Sequence, residues 1–114
     1  MSDFKITFLG TGTSVGVPMI GCGCEVCTSD DPRDQRYRSS IFVETPEASW
    51  IVDTGPELRL QCLRAGISHI DAVVYTHAHM DHVVGFDDLR RFSVGADATI
   101  DLFATEACLD DLKR

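Results

Sequence analysis

The chain is predicted to fold as one layered α/β (α+β) domain, with helices packed on a sheet. Short β-rich runs recur at residues 4–9, 40–44, 49–53, 72–75 and 98–103. Segments with helix start or stop signals follow at 56–65, 83–92 and 106–112. The length, 114 residues, is enough for one small domain and not two.

Residues 4–9 alternate apolar and polar, which predicts a strand with one buried face, that of Phe4, Ile6 and Phe8. Gly10, Gly12 and Gly16 then make a Gly-rich turn. Its glycines permit positive φ and let backbone N–H groups converge on an anion. It matches neither the P-loop nor the dinucleotide fingerprint, so it reads as a plain turn or as lining of a site. Residues 28–38 are polar and charged, with Pro32 among them, and read as a loop. Arg36 and Arg38 there are either a solvated face or contacts for a phosphate or carboxylate.

Residues 40–44 and 49–53 form a hairpin around a turn at 45–48. The second strand ends in Asp53-Thr54-Gly55. Pro56 then suits the first position of a helix whose apolar residues are Leu58, Leu60, Cys62 and Leu63, with Gly66 stopping it. Ala72-Val73-Val74-Tyr75 reads as a buried central strand. A short helix is expected over 83–92, a strand over 98–103, and a last helix from Glu106 N-capped by Thr105.

Hydrophobic residues make up 44% and charged residues 25% of the chain, ordinary values for a globular protein. A net charge of −8 argues against a domain that binds nucleic acid by neutralising phosphates. A phosphate ester stays open as substrate, because bound cations would dominate the local field. No apolar run reaches the roughly 18–20 residues of a membrane span. Residues 1–5 lack a secretory pattern, so a cytoplasmic protein is expected. Five cysteines, an odd number, then favour metal binding over a disulfide framework.

Two clusters carry the chemistry. Cys22, Cys24 and Cys27 stand as C-x-C-x-x-C, thiolates near enough to share a tetrahedral zinc. A fourth ligand must come from elsewhere; His69, Cys62 and Cys108 are candidates, and a redox dithiol is the rival use. Residues 77–82 read His-Ala-His-Met-Asp-His, directly after the central strand. His77 and His79 can be aimed at one ion, Asp81 and His82 at a second, since imidazole and carboxylate suit zinc-type ions.

The H-x-H-x-D-H run resembles the signature of the metallo-β-lactamase fold, and Gly21-Cys22-Gly23-Cys24-Glu25-Val26-Cys27 after Phe8-Leu9-Gly10-Thr11-Gly12 is similar to its PhnP-type cyclic phosphodiesterase branch. The resemblance implies the amino-terminal βα half of an αββα sandwich, with residues 1–114 a partial domain. It implies two active-site divalent ions, zinc or manganese, the first on His77 and His79 and the second on Asp81 and His82. Asp81 would also orient the attacking hydroxide, and Asp53 would brace the metal loop from behind. Cys22, Cys24 and Cys27 would hold a structural zinc completed by a distant histidine. The substrate class implied is a small (cyclic) phosphodiester. The remaining ligands and the general acid would lie in a second half, or the chain would assemble as a homo-oligomer to cover its sheet.

Three other readings compete. A catalytically inactive zinc-binding or interaction module would keep the clusters without turnover. A tRNA 3′-processing nuclease shares the hexad but lacks the cysteine cluster. An aspartic protease would use Asp53-Thr54-Gly55 in a dimer, leaving both clusters unexplained.

Overall fold

A computed structural model describes residues 4–76, 80–93 and 100–112. Strands β1 (Lys5–Gly10), β2 (Ser40–Glu44), β3 (Ser49–Val52), β4 (Ala72–Val74) and β5 (Asp101–Phe103) form one sheet in sequence order. The first three are antiparallel neighbours, whereas β3, β4 and β5 run parallel. The switch follows from the connections. A tight turn closes the β2–β3 hairpin, with Thr45 N–H donating to Ala48 O at 2.8 Å. The β3–β4 link instead passes through helix α1 (Leu58–Ala65), as a parallel crossover requires.

Gly66 ends α1 in the left-handed region at φ 71°, and its N–H returns to Cys62 O and Leu63 O, the stop expected from the sequence. The start differs: Pro56 lies in a turn, and the helix begins two residues later, at Leu58, whose N–H donates to Gly55 O at 3.2 Å. Its inner face is Leu58, Gln61 and Cys62, while Leu60 and Leu63 are exposed. Gln61 is tolerated inside because its Nε2 donates to Arg38 O at 3.0 Å.

Beyond β4 come a short helix α2 (Met80–Val83) and a 3-10 segment over Val84–Ser93, where an α-helix over 83–92 was expected. Residues 98 and 99 of the expected 98–103 strand lie outside the described residues, and β5 occupies Asp101–Phe103. Helix α3 (Glu106–Leu112) is N-capped as predicted, Cys108 N–H donating to Thr105 Oγ1 at 3.2 Å.

The core lies between one sheet face and the helices: Leu9, Phe42, Ile51, Val73 and Tyr75 meet Leu58, Cys62, Leu89 and Cys108. Burying a side chain such as Ile51, which has no exposed surface, contributes about 1.5–3 kcal/mol. The opposite face carries a cross-strand row, Phe8–Ile41–Val52–Val74–Phe103. At its ends Phe8 is 72% and Phe103 56% exposed. The alternation of β1 is therefore real, but Phe4, Ile6 and Phe8 point to the open face and not to the core. Among the described residues no helix is long and apolar enough to cross a membrane.

Candidate metal centre

β3 delivers Asp53 to its carboxyl end, beside the carboxyl end of β4, where Asp53 N–H donates to Val74 O at 2.8 Å. Asp53 is 4% exposed and adopts φ 63°, a left-handed conformation that Asp tolerates better than most residues. Its Oδ1 accepts from Thr76 N–H at 2.8 Å, and its Oδ2 from Thr76 Oγ1 at 2.7 Å. Oδ2 also meets His82 Nδ1 at 2.7 Å. The carboxylate therefore ties the entry of the 76–82 loop to its exit.

The bond to Asp53 assigns the His82 tautomer. A carboxylate can only accept, so Nδ1 carries the proton and Nε2 presents the lone pair a metal ion requires. Buried carboxylate behind imidazole is also the arrangement that orients metal-binding histidines and raises their basicity. An imidazole so oriented has the chemistry of one ligand of a divalent ion. His77 and His79 lie outside the described residues, as does the side chain of Asp81. Of the hexad's expected ligands, the structure describes the His82 side chain and its bracing partner Asp53.

The Gly-rich turn packs against residues 36–38. Gly10 and Gly12 owe their identity to crowding and not to positive φ. A Cβ at Gly10 would meet Arg38 O at 2.0 Å, and one at Gly12 would meet Tyr37 O at 2.9 Å. Arg36 and Arg38 hold this turn: Arg36 Nη1 donates to Thr11 Oγ1 at 2.7 Å and Arg38 Nε to Ser14 O at 3.0 Å. Arg38 also pairs with the half-buried Glu57 at 3.0 Å, fastening the turn to the start of α1. A cavity of about 350 Å³ lined by Gly10, Thr11, Ser40 and Asp53 opens beside them.

The second cluster is compact. Ligand atoms of Cys22, Cys24 and Cys27 lie within 4.8 Å of one another, as a shared ion needs. Cys27 N–H points at Cys24 Sγ at 3.4 Å, and Met19 N–H at Cys27 Sγ at the same distance. The Cys27 N–H, with the neighbouring thiols, brings the Cys24 thiol down to about 7. None of the fourth-ligand candidates joins the cluster. Cys62 and Cys108 are buried in the core, and His69 Nε2 pairs with Asp71 Oδ1 at 2.9 Å. Burial pushes the Cys62 thiol up to about 11.

These thiols titrate in different ranges, and alkylation of metal-stripped protein will show it. Cys24 is expected to react with iodoacetamide at a rate that climbs with pH through about 7, where half of the thiol is ionised, and levels off only well above it. Cys62 is expected to stay unreacted at that pH in folded protein. Peptide mapping of the labelled sites reads both, and equal labelling of the two would contradict the assignment.

A buried carboxylate thus braces an imidazole at the carboxyl end of a parallel strand in an α/β layer. The β-lactamase superfamily domain is matched by residues 49–114, and the chain belongs to that family, with the metallo-β-lactamase fold. A solved diphosphatase of the PhnP family superposes with a TM-score of 0.92 and 46% identity, over 99% of this chain and 45% of that one. A Porphyromonas gingivalis protein named octanoyltransferase is 43% identical over 110 residues, 96% of this chain and 22% of its own length. Coenzyme PQQ synthesis protein B of Rhodopseudomonas palustris is 33% identical over 100 residues, 76% of this chain and 32% of the relative. The chain spans less than half the length of each of these three proteins.

Proposed function

We propose that residues 1–114 form the amino-terminal half of a metal-dependent hydrolase of phosphate esters, with a small phosphodiester or diphosphate as substrate. The observation that carries this reading is the Asp53 carboxylate gripping His82 Nδ1 and both donors of Thr76, its N–H and Oγ1. The 46% identity with a PhnP-family diphosphatase supports the phosphate-ester class.

In this reading His77 and His79 hold one divalent ion, and Asp81 and His82 a second, zinc or manganese. When bound, such ions lower the pKa of water and polarise the phosphoryl oxygen. The residues of the chain do the rest. Asp53 keeps the proton on Nδ1 of His82 and fixes the direction of its ring. Asp81 orients the attacking water. The Gly10–Thr11 backbone walls the cavity beside Asp53. Cys22, Cys24 and Cys27 hold a structural zinc that keeps the 19–28 loop folded. The further ligands, the general acid and the cover for the Phe8–Phe103 row come from a second half, or from another copy of the chain.

The test combines elemental analysis of gel-filtered protein with hydrolysis of bis(p-nitrophenyl) phosphate. Metal retained by the wild type and reduced in His82→Ala is expected, with turnover once the second half is supplied in cis or in trans. Metal content indifferent to His82→Ala, or a complete domain that leaves phosphodiesters and diphosphates intact, would sink the reading. One observation favours a second reading, a zinc module without turnover: the cysteine triad is the one metal-binding group found among the described residues. Zinc bound only through the cysteines would establish it.

A further inference from the structure

Asp53 is not alone in gripping the loop. Its neighbour Thr54 has no exposed surface and bonds in three directions. Its N–H donates to His82 O at 2.6 Å, and its carbonyl accepts from Gly85 N–H at 3.0 Å. Its Oγ1 shares a hydrogen bond of 2.7 Å with the Tyr75 hydroxyl. Tyr75 immediately precedes the loop, and His82 and Gly85 stand at its exit. Thr54 thus reads the entry with its side chain and the exit with its main chain.

The Tyr75 ring reinforces this closure. It is 2% exposed, and its centroid lies 6.3 Å from that of Phe86, the residue after Gly85. The ring bridges the Thr54 hydroxyl on one side and the exit segment on the other. Its own N–H is spent on Phe103 O at 2.8 Å, so the entry strand is anchored to β5 as well.

We propose that Thr54 is a positioning residue for the metal loop: the hydroxyl pair with Tyr75 sets the separation of the loop's two ends, and with it the approach of His82 to the ion. This rests on the hydrolase reading, in which the loop holds metal. The same residue also carries the main-chain bond to the ligand itself. Small shifts matter because metal geometry is set by the groups behind the ligands, whose loss costs about 10–100-fold in affinity.

The experiment titrates manganese(II) into the whole chain and follows the free ion by electron paramagnetic resonance, well below the melting temperature. Manganese is chosen because a hard ion leaves the thiolate cluster aside. His82→Ala in parallel shows that the loop is what binds. Thr54→Val, nearly the same shape without the hydroxyl, and Tyr75→Phe are each expected to weaken binding about tenfold. Thr54→Ser, which keeps the hydroxyl, should stay close to wild type. The Thr54→Val/Tyr75→Phe double variant should be no weaker than the worse single one, since both remove the same bond. Ile51→Val, a core change outside this network, should lower the melting temperature without moving the affinity.

Affinity unchanged in Thr54→Val while its melting temperature falls would leave the pair a structural bond and overturn the proposal. Affinity lost equally in Thr54→Ser would show that the hydroxyl is not the cause, with the same consequence. Wild-type binding that His82→Ala does not alter would instead take down the hydrolase reading, and this inference with it. The control variant therefore separates the two failures.

Discussion

Asp53→Asn is expected to preserve the fold and to reverse the tautomer of His82. Asparagine fits φ 63° nearly as well as aspartate, and its Oδ1 can still accept from Thr76 N–H. Its Nδ2, however, can only donate, and it faces His82 Nδ1 across 2.7 Å. The imidazole must then accept at Nδ1 and carry its proton on Nε2, the nitrogen that the proposed function gives to metal. Manganese(II) affinity should fall by about 10–100-fold, while stability drops by about 1 kcal/mol, the worth of an ordinary hydrogen bond. Asp53→Ala differs in kind. It removes the acceptor for three donor atoms in a buried place and should cost about 3–5 kcal/mol, like breaking a buried ion pair. Nitrogen NMR of the His82 ring reads the tautomer directly. Asparagine with the proton still on Nδ1, or with unchanged affinity, would show that Asp53 does not set the ligand state.

Gly85→Ala is expected to be strongly destabilising for a change of one methyl group. The added Cβ would sit 2.1 Å from Gly55 O and 3.0 Å from Leu58 Cβ. Gly55 O is backbone at the start of α1, so no rotamer can relieve the clash. The 3-10 segment must move off the helix, stretching the Gly85 N–H bond to Thr54 O. A cost of about 3 kcal/mol or more follows, at the upper end for overpacking. For a domain of this size that lowers the melting temperature by roughly 12 °C or more. Gly23→Ala is the control: it has no positive φ and nothing within 4 Å of the new methyl, so a change within about 0.5 kcal/mol is expected. Thermal melts of the two variants side by side decide it, and equal melting temperatures would mean that the segments do not meet as described.

Much of this architecture was legible because its signals are local. The 45–48 turn, the Gly66 stop and the Thr105 cap each depend on a few neighbouring residues. The Asp53 brace was legible only through the family resemblance, since nothing local tells that residue 53 will reach residues 76 and 82. Other features were misread for a physical reason. Alternation tells which residues share a face, not what covers it, so Ile6 and Phe8 were assigned inward and lie on the open side. Leu60 and Leu63 look like core on composition, yet Gln61 takes the inner position because Arg38 O receives its amide. The short helix expected over 83–92 is a 3-10 segment over Val84–Ser93, where Gly85 lies close against Gly55. Cys62 and Cys108 carried ligand chemistry in the sequence, but they behave as small apolar core residues.

The order of assembly follows from the sequence distances these bonds bridge. The Thr45–Ala48 turn closes over a separation of 3 residues, whereas Asp53 reaches Thr76 across 23 and His82 across 29. Closing a longer loop costs more chain entropy, and hairpins of this kind form within about 1–10 μs. The β2–β3 hairpin is therefore free to form early, before the distant partners have met. The Asp53 grip must wait until α1 and β4 have docked, so the folding transition that joins Asp53 to Thr76 and His82 is a late one. Substitutions at Thr76 or His82 are then expected to accelerate unfolding and leave the refolding rate nearly untouched, whereas changes in the 45–48 turn act on refolding first.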